Sequence, residues 1–296
     1  MIYTLTINPS LDYYINLTDK IKYGNKNRSS IETYEAGGKG VNVSIFLDQL
    51  GISSTTLGFL GGFTKSIYLD YINRYKNIEP SFTTIKENTR INVTNLSDNT
   101  SFNAKGPSID EEEFNKLLYR LNNLYKDDYL IISGNIQDEV KDNFIKVINN
   151  IDFNDFKLFL DIDSDILNNI NLNNCFLIKI NETNNDFNLI KDKANYYLNK
   201  NVKYVLYEDR DSDEVYLFNK NNSYKFIEKD KNTNIHYTDS FIASLVYSFS
   251  KGATQLEAFI FSCAACKLLT FSGYNETIID KINSKVSEIS NQVQNV

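Results

Sequence analysis

Short apolar runs bounded by turn residues recur along the chain and predict buried strands. In order they are YTLTI (3–7), TLGFLGG (56–62), YLIISG (129–134), KLFLDI (157–162), FLIKI (176–180) and KYVLY (203–207). Segments with a helical period, such as EEEFNKLLYRLNNLY (111–125) and KDNFIKVINN (141–150), lie between them. This alternation is typical of a parallel sheet covered on both faces, so the predicted fold class is doubly wound α/β.

Two segments break this alternation, and we predict that they form a separate small sheet. Residues 13–36 and 88–105 alternate polar and apolar positions between Asn, Gly and Asp turns. We expect them to pair as an antiparallel lid over an edge of the main sheet. The predicted division assigns 1–12, 37–87 and 106–296 to the α/β core, and 13–36 and 88–105 to the lid.

The segment AGGKGVNVSIFLDQLG (36–51) predicts a glycine turn followed by an amphipathic helix that Gly51 ends. It is not a Walker A loop, because Lys39 is followed by Gly40 instead of Ser or Thr. Glycines before a helix still let backbone N–H groups approach the oxygens of a ligand. Taken alone, the segment leaves a ligand site and a plain turn both open.

The charge balance argues for a small soluble ligand. The chain of 296 residues carries 31 Lys and Arg against 38 Asp and Glu, a formal net charge of −7. No basic stripe is available for nucleic acid or an anionic membrane. The N-terminal MIYTLTINPS lacks the features of a targeting segment, and no apolar run reaches the 18 or so residues that span a bilayer. We therefore expect a cytoplasmic protein without nucleic-acid or membrane partners.

The remaining candidate metal and redox residues favour structural roles. Cys263 and Cys266 lie in the helical apolar pattern EAFIFSCAACKLLTF, and with Cys175 they are too few for a disulfide framework. The acidic runs DIDSD (161–165) and DRDSDE (209–214) lack the Gly and Glu of a calcium loop, so we interpret both as solvated turns. His236, the single histidine, is interpreted as a loop residue. No metal site is predicted.

Seven short motifs follow one another in an order and spacing that span nearly the whole chain. They are NPSLD (8–12), GGKGVNVS (37–44), TRIN (89–92), KGP (105–107), ISG (132–134), KIN (179–181) and TDSFIA (238–243). Together they resemble the PfkB, or ribokinase-type, carbohydrate kinases, and within that family the first two are similar to those of 1-phosphofructokinase and tagatose-6-phosphate kinase. The resemblance implies a ribokinase-like three-layer fold. It also implies transfer of the γ-phosphoryl group of ATP, with Mg²⁺, to a hydroxyl of a ketohexose phosphate.

The resemblance also implies roles for individual residues. Asp239 is the catalytic base; the substrate side comprises Asp12, Arg28, Gly37, Gly38, Lys39, Asn42, Arg90 and Ser133; the nucleotide side comprises Lys179, Asn181, Glu182 and Thr238. In this scheme Arg28, Lys39 and Arg90 take the phosphate that the substrate already carries. Arginine forks and a lysine charge suit that task, whereas a neutral sugar or nucleoside would not need three cations.

Asp239 directly precedes the apolar helical stretch SFIASLVYSF (240–249), whose predicted N-terminus contributes a positive dipole end. By itself, this position is more typical of an ordinary Asp helix cap than of a catalytic base. The family resemblance is what favours the base.

Three departures from the family pattern fall on the nucleotide side. The glycines that normally precede the catalytic Asp are replaced by His236, Tyr237 and Thr238, and the last residue of the N-x-x-E element is Asn184. Where the family has a strand end that contains glycines, this chain has the glycine-free segment YEDRDSDE (207–214). Its acidic side chains would repel ATP unless a metal intervened. Two alternatives therefore stay open: a catalytically weak or inactive member that binds a sugar phosphate as sensor or scaffold, and a kinase for a nucleoside or another alcohol.

The lid suggests an oligomer. Members of the family often dimerise through this sheet, and exposed strand edges favour pairing with a second copy. We expect a homodimer in which Tyr13, Tyr14 and Ile31 face outward.

Overall fold

All six predicted strands lie in one large sheet. The protein is described by a computed structural model covering residues 1–151, 156–184, 186–209, 213–227, 237–270 and 275–296, with only the backbone of Tyr237. The strands are β1 (Ile2–Thr6), β2 (Ser10–Leu17), β3 (Ser29–Gly37), β4 (Ser54–Gly61), β5 (Ile78–Pro80), β6 (Thr83–Ile85), β7 (Arg90–Asn95), β8 (Thr100–Phe102), β9 (Asp128–Ser133), β10 (Phe156–Asp161), β11 (Leu177–Glu182), β12 (Tyr204–Asp209), β13 (Glu214–Phe218), β14 (Ser223–Ile227) and β15 (Gln294–Asn295).

The helices connect these strands. They are α1 (Lys39–Gln49), α2 (Thr64–Ile72), α3 (Glu111–Leu121), α4 (Asp138–Asn149), α5 (Ser164–Leu167), α6 (Phe187–Asn199), α7 (Tyr237–Ser250), α8 (Gln255–Ala265) and α9 (Ile278–Ser290). The capping box of Asp110 and Glu113 begins α3, and that of Thr254 and Glu257 begins α8. The helix predicted after the glycine turn is α1, and Gly51 follows its end with a φ of 73°.

The main sheet has the order β15-β14-β13-β12-β11-β10-β9-β1-β4-β5, and β6 also pairs with β4. Strand pairs from β5 to β12 are parallel, whereas β13, β14 and β15 extend the sheet in antiparallel pairs. The parallel part places the carboxyl ends of β9, β10, β11 and β12 along one edge, where ligands bind in open α/β sheets.

Helices cover both faces of this sheet. Along β9, Leu130 and Ile132 pack into the apolar layer that contains residues of α3, α4, α5 and α6, whereas Ile131 packs into the layer that contains residues of α1, α7, α8 and α9. Strand residues thus alternate between two cores. The predicted three-layer, doubly wound, mostly parallel fold is confirmed.

The second sheet has the order β3-β2-β7-β8. β2 with β3 and β7 with β8 are antiparallel, and these two hairpins are joined by a parallel pairing of β2 with β7. A small separate sheet was expected and is present. Its first strand begins at Ser10, inside the segment 1–12 assigned to the core, and the exact division into core and lid stays a prediction.

The faces of the lid differ from the expectation. Tyr13, Tyr34, Val93 and Phe102 lie opposite one another across the four strands, so they share one face. Tyr14 lies on the other face with Asp12, and so does Ile31, which is opposite Asn16. The expectation that Tyr13, Tyr14 and Ile31 face the same way was therefore wrong, because the strand period of two separates them.

The three cysteines are buried, and Cys263 and Cys266 pack into the layer of α7, α8 and α9. This agrees with helix-core thiols. Within the described ranges, no helix is long and apolar enough to span a membrane.

Candidate active site

A two-glycine turn joins β3 to α1 and sets the first part of the site. A Cβ on Gly37 would lie 2.1 Å from Asp12 Oδ2, and one on Gly38 would lie 2.6 Å from Thr6 Cγ2. Gly38 also has a φ of 137°. Side chains are therefore excluded here, and the turn holds the backbone against the carboxylate of Asp12.

Asp12 is fixed by its neighbours in the lid. Its Oδ1 accepts hydrogen bonds from Ser10 Oγ at 2.7 Å and from Asn92 Nδ2 at 2.8 Å. Asn92 lies directly opposite Asp12 because β2 and β7 are in register. The motifs NPSLD and TRIN thus meet across one strand pair.

Arg90 begins β7 beside Asp12 and is held by backbone carbonyls. Its Nη1 donates to Ala104 O and its Nη2 donates to Asn8 O, both at 3.0 Å. Burial lowers the pKa of Arg90, and the charge of Asp12 acts in the opposite direction. Among the described residues its buried Nε has no hydrogen-bond partner. Arg90 is a fixed, partly buried cation at the base of the lid.

Asp239 lies in the interior, where α1 and α7 pack together. Its side chain is 3% exposed, and Asn42 Nδ2 donates to its Oδ2 at 2.8 Å. The helix begins at Tyr237, so the expectation that Asp239 precedes it was wrong. A cap has a non-helical backbone, whereas Asp239 lies in the first helical turn and its carboxylate contacts another helix. The cap interpretation does not hold.

Asp161, which sequence reasoning missed, ends β10 and is the centre of a buried polar cluster. The other members of this cluster were predicted for the site. Asp161 is 2% exposed. Ser133 Oγ donates to it at 2.8 Å, Asn181 Nδ2 at 3.2 Å and Lys39 Nζ at 3.3 Å, and Lys179 Nζ lies 3.9 Å away. The interpretation of DIDSD as a solvated turn was wrong at this position. The usable signal was its place at the carboxyl end of a buried strand.

The charge of Asp161 is maintained by the cluster. Burial alone raises the pKa of Asp161, but the nearby ammonium groups of Lys179 and Lys39 and the Ser133 hydrogen bond outweigh it, so the pKa lies below its ordinary value. Lys39 also keeps 42% of its side chain exposed, so its ammonium is accessible to a ligand as well as to Asp161.

Glu208, near the end of β12, belongs to the acidic segment YEDRDSDE that the sequence placed on the nucleotide side, but its contacts were not predicted. Its Oε2 lies 2.9 Å from Lys179 Nζ and accepts a hydrogen bond from Thr238 Oγ1, also at 2.9 Å. The Lys179 side chain is 1% exposed and that of Glu208 13%. Asp209 is buried too, so the solvated-turn interpretation of 209–214 was wrong there. Residues 210–212 and His236 lie outside the described residues.

Two predicted site residues are directed elsewhere. Glu182 forms an ion pair with Lys193 of α6 and accepts a hydrogen bond from Ser164 Oγ at 3.3 Å. Arg28 is exposed just before the end of β3 remote from Gly37, about 30 Å away along an extended strand. The structure does not bring Arg28 together with Lys39 and Arg90, and its phosphate role stays a prediction.

In a three-layer α/β fold, a cluster of Lys, Asp and Asn at the carboxyl strand ends is placed where enzymes of this fold class bind their ligands. The profile of the "pfkB family carbohydrate kinase" matches residues 6–278. The chain belongs to this family.

Individual relatives cover most of the chain. A 1-phosphofructokinase of Borreliella burgdorferi is 35% identical over 279 residues, 90% of each chain, and one of Bacillus subtilis is 37% identical over 169 residues, 56% of this chain and 55% of that one. The crystal structure of a Staphylococcus aureus protein, provisionally described as a phosphofructokinase, has a TM-score of 0.80 at 28% identity and covers 100% of this chain and 98% of its own. Escherichia coli phosphofructokinase-2 in complex with fructose-6-phosphate shares the fold, with a TM-score of 0.84 at 21% identity over 97% of this chain and 99% of that one.

Proposed function

We propose that this kinase transfers the γ-phosphoryl group of ATP to a hydroxyl of a ketohexose phosphate, converting fructose 1-phosphate to fructose 1,6-bisphosphate. The observation that carries the proposal is the buried Asp239, held by Asn42 at the junction of α1 and α7. The relatives that are named 1-phosphofructokinase support the choice of substrate.

Asp239 acts as the general base. Its carboxylate accepts the proton of the attacking sugar hydroxyl, while the Asn42 amide fixes the orientation of the carboxylate. Its place in the first turn of α7 also lies near the positive end of the helix dipole, which favours developing negative charge on the transferring group.

Lys39 and Arg90 take the phosphate that the substrate already carries, and Asp12 orients the sugar hydroxyls. The exposed part of Lys39 and the position of Arg90 at the start of β7, beside Asp12, support this assignment. Two cations at this side also favour a phosphorylated acceptor over a nucleoside.

The nucleotide side comprises Lys179, Asn181 and Thr238. Mg²⁺ supplies charge neutralisation of the ATP phosphates when it is bound. The described residues include no group of three or more His, Cys, Asp and Glu side chains that could hold a metal. Mg²⁺ in nucleotide sites usually keeps several waters and uses phosphate oxygens with one or two protein carboxylates.

The test replaces Asp239 by Asn and measures phosphorylation of fructose 1-phosphate in a coupled ADP assay. We expect kcat to fall by roughly 10²- to 10⁴-fold, the usual contribution of a general base. The matched control is Asp280→Asn, which changes an exposed Asp in the first turn of α9 and leaves kcat unchanged. Full turnover by Asp239→Asn would exclude the base role.

A second candidate function is sugar-phosphate binding without turnover. It is favoured by the carboxylate of Glu208, which occupies Lys179 and Thr238 on the nucleotide side. Tight binding of fructose 1-phosphate with no ADP release from ATP would support a sensor or scaffold, whereas turnover in the assay above would exclude it.

We also infer that the protein is a homodimer joined through the lid. Tyr13, Tyr34, Val93 and Phe102 form an apolar row on one lid face, and Phe102 is 65% exposed and Tyr34 39%. A second copy of this chain, presenting the same row, is the occupant that would bury it with twofold symmetry.

A further inference from the structure

One carboxylate oxygen occupies two donors of the nucleotide side. Lys179 Nζ and Thr238 Oγ1 both lie 2.9 Å from the same atom, Glu208 Oε2. A lysine ammonium and a hydroxyl at a helix start are the groups that hold nucleotide phosphates in kinases of many folds. The Glu208 oxygen therefore stands where an oxygen of a nucleotide phosphate would contact the same pair.

Burial makes this arrangement costly to change. The side chain of Lys179 is 1% exposed, so its ammonium needs an anion beside it. Asp161 lies farther away, at 3.9 Å, and is shared with Lys39. Lys179 thus lies between two carboxylates, and Asp161 also pairs with Lys39. A nucleotide phosphate that enters adds negative charge beside these carboxylates.

We propose that Glu208 is an internal anion that competes with the nucleotide phosphates for Lys179 and Thr238, and thereby makes the site selective for the Mg²⁺ complex of the nucleotide. This inference rests on the proposed kinase function. A metal-free triphosphate must displace the Glu208 carboxylate from Lys179 and Thr238, and it is also repelled by the negative charge of that carboxylate. A triphosphate neutralised by Mg²⁺ meets much less repulsion, so the preference for the complex arises from the protein as well as from the chemistry of transfer.

The test is calorimetric titration with the non-hydrolysable analogue β,γ-imido-ATP, in Mg²⁺ and in EDTA, for wild type and Glu208→Gln. Glutamine keeps an oxygen acceptor for both donors and removes only the charge. We expect the Kd in EDTA to become at least tenfold tighter in the variant. The ratio of the Kd in EDTA to the Kd in Mg²⁺ should fall by a similar factor. A purely structural role would shift both values together and leave this ratio unchanged.

The control is Glu214→Gln, which removes a partly buried carboxylate from an ion pair with Lys225 on the neighbouring strand. The ratio of its Kd in EDTA to its Kd in Mg²⁺ should equal that of wild type. Glu208→Asp provides a second variant that keeps the charge on a shorter side chain. We expect its ratio to lie between those of wild type and Glu208→Gln.

Weaker binding by Glu208→Gln in Mg²⁺ would overturn the proposal, since Glu208 would then support the complex instead of competing with it. An unchanged ratio, or absence of nucleotide binding by both wild type and variant, would overturn it too. The outcome is separable from the proposed function. If the wild type phosphorylates fructose 1-phosphate but Glu208→Gln has the same Kd ratio as the wild type, only this inference fails. If Glu208→Gln binds the metal-free analogue more tightly but the wild type shows no turnover, only the kinase assignment fails.

Discussion

At position 37 the backbone passes so close to a carboxylate that no side chain fits. A Cβ added there would lie 2.1 Å from Asp12 Oδ2, far closer than a carbon and an oxygen that are not bonded can approach. Asp12 is itself fixed by Ser10 and Asn92. The glycine therefore determines where Asp12 stands.

Gly37→Ala should raise the KM for fructose 1-phosphate by roughly 10- to 100-fold, because displacing a positioned group by about 1 Å costs on that order. Steady-state kinetics provide the measurement. Gly252→Ala is the control, since its Cβ would meet nothing within 4 Å although φ is +81°. It should cost about 1 kcal/mol of stability and leave KM unchanged. An unchanged KM in Gly37→Ala would show that Asp12 does not bind the sugar.

Residues that belong to a recognisable motif could be proposed for the site from the sequence. Residues whose contacts depend on burial in the folded sheet could not. Asn42 and Asp239 lie 197 positions apart, and their motifs pointed to the same site, where the structure joins them. Asp161 lies in an acidic run that was interpreted as solvated, and Glu208 lies in a segment whose acids were expected only to repel ATP. Nothing in the local pattern distinguishes a carboxylate paired with a buried lysine from one in water. The pairing depends on which strands are neighbours, and that is a property of the whole sheet.

At the scale of elements, the site depends on parallel strands ending together. Ser133 ends β9, Asp161 ends β10 and Asn181 lies near the end of β11, so neighbouring strand ends place these three side chains in one hydrogen-bonded cluster. The apolar strands and the αβ alternation were predictable because each is a local pattern. The hairpin of β13 and β14 was missed, although EVYLF and SYKFI are rich in β-branched and aromatic residues and flank the turn sequence NKNN.

The Asp161 cluster should make stability depend on acid pH. The pKa of Asp161 is lowered on folding, so its stabilisation is complete above its ordinary pKa of 3.8 and is lost as the pH falls through the lower folded value. Asp161→Asn should cost roughly 3–5 kcal/mol near pH 7, because two ammonium groups lose their shared anion.

Urea unfolding of wild type and Asp161→Asn between pH 7 and pH 2.5 tests this sign. The difference in unfolding free energy should be constant above about pH 5 and narrow below the ordinary aspartate pKa. Asp163→Asn, an exposed position two residues away, is the control and should show a small difference at every pH. If the difference in unfolding free energy between wild type and Asp161→Asn widened at acid pH, the assigned negative charge of Asp161 would be contradicted.

At the scale of the whole molecule, the lid exposes a row of apolar and aromatic side chains on one face. Phe102 and Tyr34 expose apolar area at opposite edges of one face, and the row between them continues through Val93 and Tyr13. Contiguous apolar surface of this kind marks interaction sites.

If the proposed dimer forms, Phe102→Asp should convert it to a monomer, because a charge would be buried in the proposed apolar interface. Sedimentation equilibrium measures the mass directly. Tyr119→Asp alters a similarly exposed aromatic, on α3 and outside the lid, and should leave the proposed dimer intact. A monomeric wild type would exclude the lid interface.

Two lysines share Asp161, and under the proposed function they belong to different substrates. Lys39, proposed for the sugar phosphate, and Lys179, proposed for the nucleotide, pair with the same carboxylate through Oδ2 and Oδ1 respectively. An anion that draws either lysine toward itself leaves more of the charge of Asp161 for the other. Thermodynamic reciprocity then requires each substrate to alter the affinity of the other by the same factor. We therefore expect Asp161 to couple the binding of donor and acceptor, so that the apparent KM for one substrate depends on the concentration of the other.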